Sequence, residues 1–255
     1  MVKIKPIYPY PALLLQTDQK YIIISDLHIG FESNLNARGI NISSDTYVDE
    51  ILNDLSSIIN KEKPDTIILI GDIKNSVYTI TKTEWENVQK FLQRLSEITK
   101  VFLVPGNHDG NIRHLVPRNV MMMSGKGMLL DDTLLTHGHT MPSNTSDSIN
   151  RLIMGHIHPV FLKEGSVING QRVWVYLKIN KHDLFSNRKG ILDIIVMPSF
   201  NKYFYNSIHD SHYKKSISPI IKKTIKNVSE GIVLTLDGSI VGDESSLEQV
   251  IYEAP

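Results

Sequence analysis

Residues 21–30 read Tyr-Ile-Ile-Ile-Ser-Asp-Leu-His-Ile-Gly, and the break inside this stretch decides the fold. Tyr21–Ile24 is a short, β-branched, wholly apolar run, the pattern of a buried strand, and it stops abruptly at Ser25-Asp26. The same event recurs twice. Thr66–Ile70 is stopped by Gly71-Asp72, and Val101–Val104 is closed by Pro105-Gly106. Between these runs lie two stretches of helical period. Residues 44–60 align Val48, Ile51, Leu52, Leu55, Ile58 and Ile59 on one stripe, with Ser44 or Asp45 as N-cap and Pro64 past the end. Residues 83–98 do the same through Trp85, Val88, Leu92, Leu95 and Ile98. A strand–helix–strand–helix–strand order predicts an α/β fold whose parallel sheet has right-handed crossovers.

After residue 119 the apolar runs shorten and draw together. They fall at Met121–Ser124, Met128–Leu130, Leu134–Thr136, Leu152–Met154, Val173–Ile179, Ile191–Val196 and Ile232–Leu236, with turn signals at Asp131-Asp132 and Asp237-Gly238. This predicts a second, mixed sheet packed on the first. Residues 180–190 and 201–227 read as mobile loops. With no repeat, low-complexity tract or linker, residues 1–255 are read as one domain.

Composition narrows the function classes. Of 255 residues, 41% are hydrophobic and 21% charged, enough apolar material for a sizeable core. Lys+Arg and Asp+Glu both number 27, so no chain-wide basic field exists to grip nucleic acid. The absence of cysteine excludes disulfides, thiolate metal sites and cysteine nucleophiles. The opening MVKIKPIYPYPALLL has too short an apolar run, broken by prolines, for a signal peptide. Other apolar runs fall far below the roughly 20 residues of a membrane span. No membrane role is expected, and the expected location is cytoplasmic.

The decisive polar residues sit at strand ends. Asp26 and His28 follow the first strand and Asp72 the second, while Asn107, His108 and Asp109 follow the third. His137 and His139 follow a later strand, and His156 and His158 another. The carboxyl ends of strands in an open α/β sheet share one edge, where ligands bind. Imidazole, carboxylate and amide oxygen together suit Mn, Zn or Fe. On extended backbone, D-x-H and H-x-H spacing would send both side chains to the same side.

The series Asp26-x-His28, Gly71-Asp72, Gly106-Asn107-His108-Asp109, His137-Gly138-His139 and Gly155-His156-x-His158 resembles the calcineurin-like metallophosphoesterase superfamily. The resemblance implies a four-layer fold of two packed mixed β-sheets flanked by helices. Residues 26–32 (DLHIGFE), 37–39 (ARG), 71–74 (GDIK), 155–159 (GHIHP) and 196–200 (VMPSF) narrow it toward the small phosphoesterases sometimes encoded beside DNA ligase and helicase genes, with an echo at Ser218-Pro219. It implies two divalent metal ions, Mn2+ foremost and Zn2+, Fe or Ni2+ as alternatives. Asp26, His28 and His158 would hold the first ion, Asn107, His137 and His156 the second, and Asp72 both. His108 would face the scissile phosphate with Asp109 orienting it, and His139 would face the substrate. Asn75 departs from the pattern, standing where relatives carry an acid or a histidine, which bears on substrate orientation.

The implied activity is hydrolysis of phosphodiesters, with DNA as a candidate partner. A phosphomonoesterase or phosphatase shares every motif, and a non-catalytic metal-binding scaffold is the third reading. Lys202, Lys214, Lys215, Lys222, Lys223 and Lys226, interleaved with Tyr203, Phe204, Tyr205 and Tyr213, read as a solvated loop with inward aromatics in preference to a single-strand path. Arg38 reads equally as a phosphate contact or as a surface residue before a Gly39 cap. His182, His209 and His212 read as surface residues.

Overall fold

A computed structural model describes residues 2–37, 39–40, 42–142, 148–203 and 218–250. The three anticipated parallel strands are β3 (Lys20–Ile24), β4 (Thr66–Ile70) and β5 (Lys100–Val104), and two strands precede them, β1 (Lys3–Pro6) and β2 (Leu13–Gln16). With β6 (Val120–Met122) they form a six-stranded sheet in order β1-β2-β3-β4-β5-β6, parallel from β3 to β6 and antiparallel before it. The second sheet has seven strands: β7 (Met128–Leu130), β8 (Thr133–Thr136), β9 (Arg151–Met154), β10 (Val173–Asn180), β11 (Ile191–Val196), β12 (Glu230–Thr235) and β13 (Ile240–Asp243). Their order is β13-β12-β10-β11-β9-β8-β7, with β8–β9 and β9–β11 parallel and the other pairs antiparallel.

The continuous apolar runs have a simple cause: each strand buries alternate residues on two faces. Ile23, Ile68, Ile70 and Val104 of the first sheet meet Leu135, Ile153, Trp174 and Ile195 of the second in a layer between the sheets. Ile22, Ile24, Ile67, Leu69, Val101 and Leu103 point outward under α2 (Ser44–Glu62) and α3 (Lys82–Ile98). Val173, Val175, Leu177 and Ile179 point the other way with Leu184 and Ile220, from α4 (Lys181–Leu184) and α5 (Pro219–Thr224). The remaining helix, α1 (Glu32–Asn36), buries Leu35 beside Phe31, Ile42 and Tyr203. The result is the anticipated arrangement of two mixed sheets between helices.

Several local expectations change. The cap of α2 is Ser43, whose backbone is extended and whose side chain accepts from the Thr46 N–H, instead of Ser44 or Asp45. Trp85 and Ile98 lie on the exposed side of α3, and Phe91 takes their place beside Val88, Leu92 and Leu95. The 180–190 segment is no loose loop, because α4 anchors it through buried Leu184 and Phe185. Within 201–227, α5 and a 3-10 turn occupy Pro219–Asn227, while residues 204–217 lie outside the described residues. The side chain of His182 is 65% exposed, as expected; His209 and His212 lie outside the described residues.

The layer between the sheets should dominate stability. Ile68→Ala removes a fully buried side chain and is expected to cost about 2–5 kcal/mol in chemical denaturation. Ile240→Ala, at a position 78% exposed, should change stability by less than about 0.5 kcal/mol.

Candidate metal centre

The site begins where β3 and β4 stop. Their chains continue side by side after the strands end: the Asp26 N–H donates to the Gly71 carbonyl at 3.1 Å, His28 N–H to Asp72 at 2.9 Å and Ile29 N–H to Ile73 at 2.8 Å. This pairing does not keep the backbone extended. Asp26, His28 and Asp72 have φ of 59°, 47° and 53°, and His156 and His158 have 71° and 50°. The extended D-x-H and H-x-H geometry expected from spacing is therefore replaced by left-handed residues that turn each side chain inward. Such backbone costs of order 1–3 kcal/mol per residue outside glycine and persists only where surroundings hold it.

The surroundings do so by gripping carbonyls. Ser199 Oγ donates to the Asp26 carbonyl at 2.8 Å, and Asn201 Nδ2 and the Tyr47 hydroxyl both donate to Leu27. The Phe200 N–H donates to Ser25 at 2.9 Å. Arg172, in turn, donates to the carbonyls of Ser199 and Phe200. Across the site Ser218 Oγ donates to the Gly138 carbonyl, between His137 and His139, at 2.6 Å. Sequence reading marked the 196–200 run and Ser218 but assigned these residues no role. Tyr47 and Arg172 carried no signal beyond an apolar stripe and a lone arginine.

Two groups of side chains converge. In each, one ligand atom per residue lies within 4.8 Å of the others: Asp26, His28, Asp72 and His158 in one, Asp72, His137 and His156 in the second. Asp72 belongs to both. His137 donates its Nδ1 proton to the Ile70 carbonyl at 3.0 Å. That leaves Nε2 facing Asn107 Oδ1 at 3.1 Å and Asp72 Oδ2 at 3.2 Å. His158 Nε2 lies 2.9 Å from Asp26 Oδ1 and 3.3 Å from His28 Nε2. His156 donates its backbone N–H to both Asp26 oxygens at 3.2 Å, while its ring Nε2 is buried without a hydrogen-bond partner. A buried, unpaired imidazole nitrogen beside a shared carboxylate is what a metal ion would satisfy. The donor set of imidazole, carboxylate and amide oxygen fits a divalent transition metal.

The electrostatics agree. Burial would raise the Asp26 carboxyl, but His158 and His137 outweigh it and hold the group at about 2. Asp72, where burial is likewise overridden by His137 and His28, is held well below the ordinary carboxylate range. Burial drives His28 down to about 3, and burial with His137 drives His156 to about 3, so both rings are neutral imidazoles, the form that ligates metal. His137 goes the other way: burial lowers it, yet Asp72 and Asp26 raise it to about 9. Two buried carboxylates demand positive charge at this spot, from a proton or a metal ion.

Around this floor stand the remaining candidates. His108 opens to solvent, its side chain 21% exposed. Its backbone N–H donates to Asp72 Oδ1 at 2.8 Å, and its ring Nδ1 meets the backbone carbonyl of Asn75. Since a carbonyl only accepts, Nδ1 carries the proton and Nε2 faces the site. Asp109 does not reach the His108 ring as expected. It accepts from the backbone N–H groups of Ile73 at 2.9 Å, Lys74 at 3.3 Å and Gly106 at 2.8 Å, tying the two loops together. Burial and Asp72 push its carboxyl up to about 6. Asn75 likewise contributes through its backbone. His139 is half-buried beside His137 and His156, with ring centroids 5.3 and 6.2 Å away. Arg38 lies outside the described residues.

Gly106 has no room for a side chain: a Cβ there would overlap Asp72 Oδ1 and crowd the His137 ring. Gly106→Ala should therefore weaken divalent-ion binding by at least about tenfold, measured by calorimetric titration with Mn2+. Undiminished binding would show that Asp72 is not needed to hold the ions.

No match is found among curated proteins. Among solved structures, the chain resembles a Pseudomonas putida nuclease MPE at 18% identity, covering 80% of this chain and 89% of that one with a TM-score of 0.49. It also resembles YfcE, an E. coli phosphoesterase, at 16% identity, 88% and 97% coverage and a TM-score of 0.41. A family model, calcineurin-like phosphoesterase, matches residues 19–197, a span running from β3 through β11 and including all five motifs. This chain belongs to the calcineurin-like phosphoesterase family.

Proposed function

We propose that the protein is a phosphodiesterase dependent on two divalent metal ions, with Mn2+ the preferred ion and DNA a candidate substrate. The observation that carries the reading is the single Asp72 carboxylate shared by two groups of converging ligands, with His108 on the open rim beside them. Asp26, His28 and His158 would hold the first ion and Asn107, His137 and His156 the second, with Asp72 available to both. When bound, such a pair of ions supplies Lewis-acid activation of a phosphoryl group and of water. The chain's own groups do the rest. The Asn107 amide and the His139 ring face the phosphoryl oxygens and orient the ester. His108, its Nδ1–H fixed on the Asn75 carbonyl, presents Nε2 to the leaving oxygen. As water's oxygen forms the new P–O bond and the bond to the leaving oxygen breaks, a proton on Nε2 passes to the leaving alcohol; the proton shed by the water goes to solvent, from which Nε2 is reprotonated.

Lys202, Tyr203 and Lys223 of the basic–aromatic stretch are engaged within the protein. Lys202 and the Tyr203 hydroxyl are both committed to Glu50, at 2.8 and 2.9 Å, and Lys223 donates to the Leu184 carbonyl. Nucleic acid would be met through phosphate at the metal centre. Among the described residues no helix is long and apolar enough to cross a membrane. A single catalytic unit in the cytoplasm is the setting we propose.

The test is to strip the protein with chelator, restore Mn2+, and follow bis-p-nitrophenyl phosphate and p-nitrophenyl phosphate. The diester should turn over faster, activity should vanish with chelator and return with metal, and Asp72→Asn should fall to the background rate. For a diester with an alkyl leaving group, which needs a proton to depart, His108→Asn should lower kcat on the order of 10²–10⁴-fold. Preferential turnover of the monoester would make the protein a phosphomonoesterase. No turnover of either, with two metal ions counted per chain, would leave a binding role.

A further inference from the structure

The contact that fixes His108 has a second end. The carbonyl of Asn75 and the N–H of Ser76 belong to one peptide unit. Its oxygen faces His108 Nδ1, and its N–H donates to Glu84 Oε1 at 2.6 Å. Glu84 is fully buried, at the start of α3. Its Oε1 also accepts from the Asn75 N–H at 3.0 Å, and its Oε2 from the Thr81 N–H at 2.8 Å. Lys74 Nζ donates to the Thr79 and Ser76 carbonyls, closing the loop that carries this peptide. On the far side Glu84 packs against Gly30, where any Cβ would run into its Cγ.

From this geometry we infer that Glu84 is a positioning residue for His108, acting through the Asn75–Ser76 peptide. An amide whose N–H donates to a carboxylate has a more negative, more strongly accepting carbonyl oxygen. The Glu84 carboxylate thereby acts on His108 Nδ1–H at one peptide's remove, holding Nδ1 as the donor and aiming Nε2 at the site. A carboxylate on a histidine's far nitrogen is effective in this way when it touches the ring directly; here a peptide unit stands between them.

A capping role alone does not account for the arrangement. Glu84 does close a capping box with Thr81, but that uses only Oε2 and the Glu84 N–H. Oε1 is committed to two amides that precede the helix. Thr81→Ala breaks the cap and spares Oε1, so it separates the two roles.

The inference rests on the function proposed above, and its test has one arm that depends on turnover and one that does not. In the Mn2+-loaded enzyme, Glu84→Gln should lower kcat about tenfold for a diester with an alkyl leaving group, and less than about twofold for one with a p-nitrophenyl leaving group, because only the poor leaving group needs the His108 proton. KM and the metal count per chain should stay unchanged. In a His108→Asn background Glu84→Gln should cause no further loss, and Thr81→Ala should lower stability without dependence on the leaving group. Independently of turnover, in the Zn2+-loaded protein the His108 Nδ1–H resonance should move upfield and exchange faster in Glu84→Gln. Should that variant fail to fold, a trans-hydrogen-bond coupling between the Ser76 nitrogen and the Glu84 carboxyl carbon in the parent protein reads the same link. Equal slowing of both diesters, additive loss with His108→Asn, an unmoved Nδ1–H resonance or a missing coupling would overturn the inference. A parent that hydrolyses no ester, yet shows the shifted resonance, would sink the proposed function and leave the relay standing.

Discussion

Everything around the site answers to the burial of two carboxylates, Asp26 and Asp72, whose surfaces are 0% and 1% accessible. An uncompensated carboxylate in a protein interior costs several kcal/mol, so each must be surrounded by positive charge and N–H donors. Asp26 receives the His156 N–H and lies against His158; Asp72 receives the His108 N–H and lies against His137 and His28. The compensation is incomplete without further positive charge, as the raised His137 shows. A site that still demands a cation after its hydrogen bonds are made is preorganised for metal.

The sandwich makes such burial tolerable. Asp26 and Asp72 end strands whose preceding residues are buried on both faces, so the backbone feeding them is rigid. The loops beyond those strands take left-handed turns that would cost free energy in isolation. They are kept in place by carbonyl grips from remote segments: Ser199 reaches Asp26 across 173 residues of sequence, and Asn201 reaches Leu27 across 174. Stability accumulated between and around the sheets thus offsets local strain at the metal centre, a common distribution between a core and a functional edge.

Much of this was legible in the residues. Runs such as Ile67–Ile70 announced strands, because burial on two faces leaves no polar position. The stripe Val48–Ile51–Leu52–Leu55 announced a helix, because its period is that of one helical face. The edge strands β1 and β13 were harder to see. Lys3–Pro6 and Ile240–Asp243 are short, with no fully buried residue, so their apolar alternation is faint. The 180–190 segment looked like a loop since its polar residues outnumber Leu184 and Phe185, the two that anchor it. Helical spacing puts Trp85 on the edge of the Val88–Leu92–Leu95 stripe, whereas the phase of the helix against the actual sheet surface turns it out.

The sequence by itself determined the layer architecture and named the candidate ligands that the fold then brings together. Both are written in local signals: apolar period within a strand or helix, and His, Asp or Asn directly after an apolar run. Only the tertiary structure decided how those side chains act. Whether Asp72 serves one group or two and whether Asp109 turns to a ring or to three amides depend on segments brought together from 30 to 130 residues apart. Backbone N–H and C=O groups are the partners in most of these contacts, and every residue type carries them. No residue identity marks a Ser76 amide or an Asn75 carbonyl as part of a site; the fold does so by placing a buried carboxylate on one side of that peptide and an imidazole on the other.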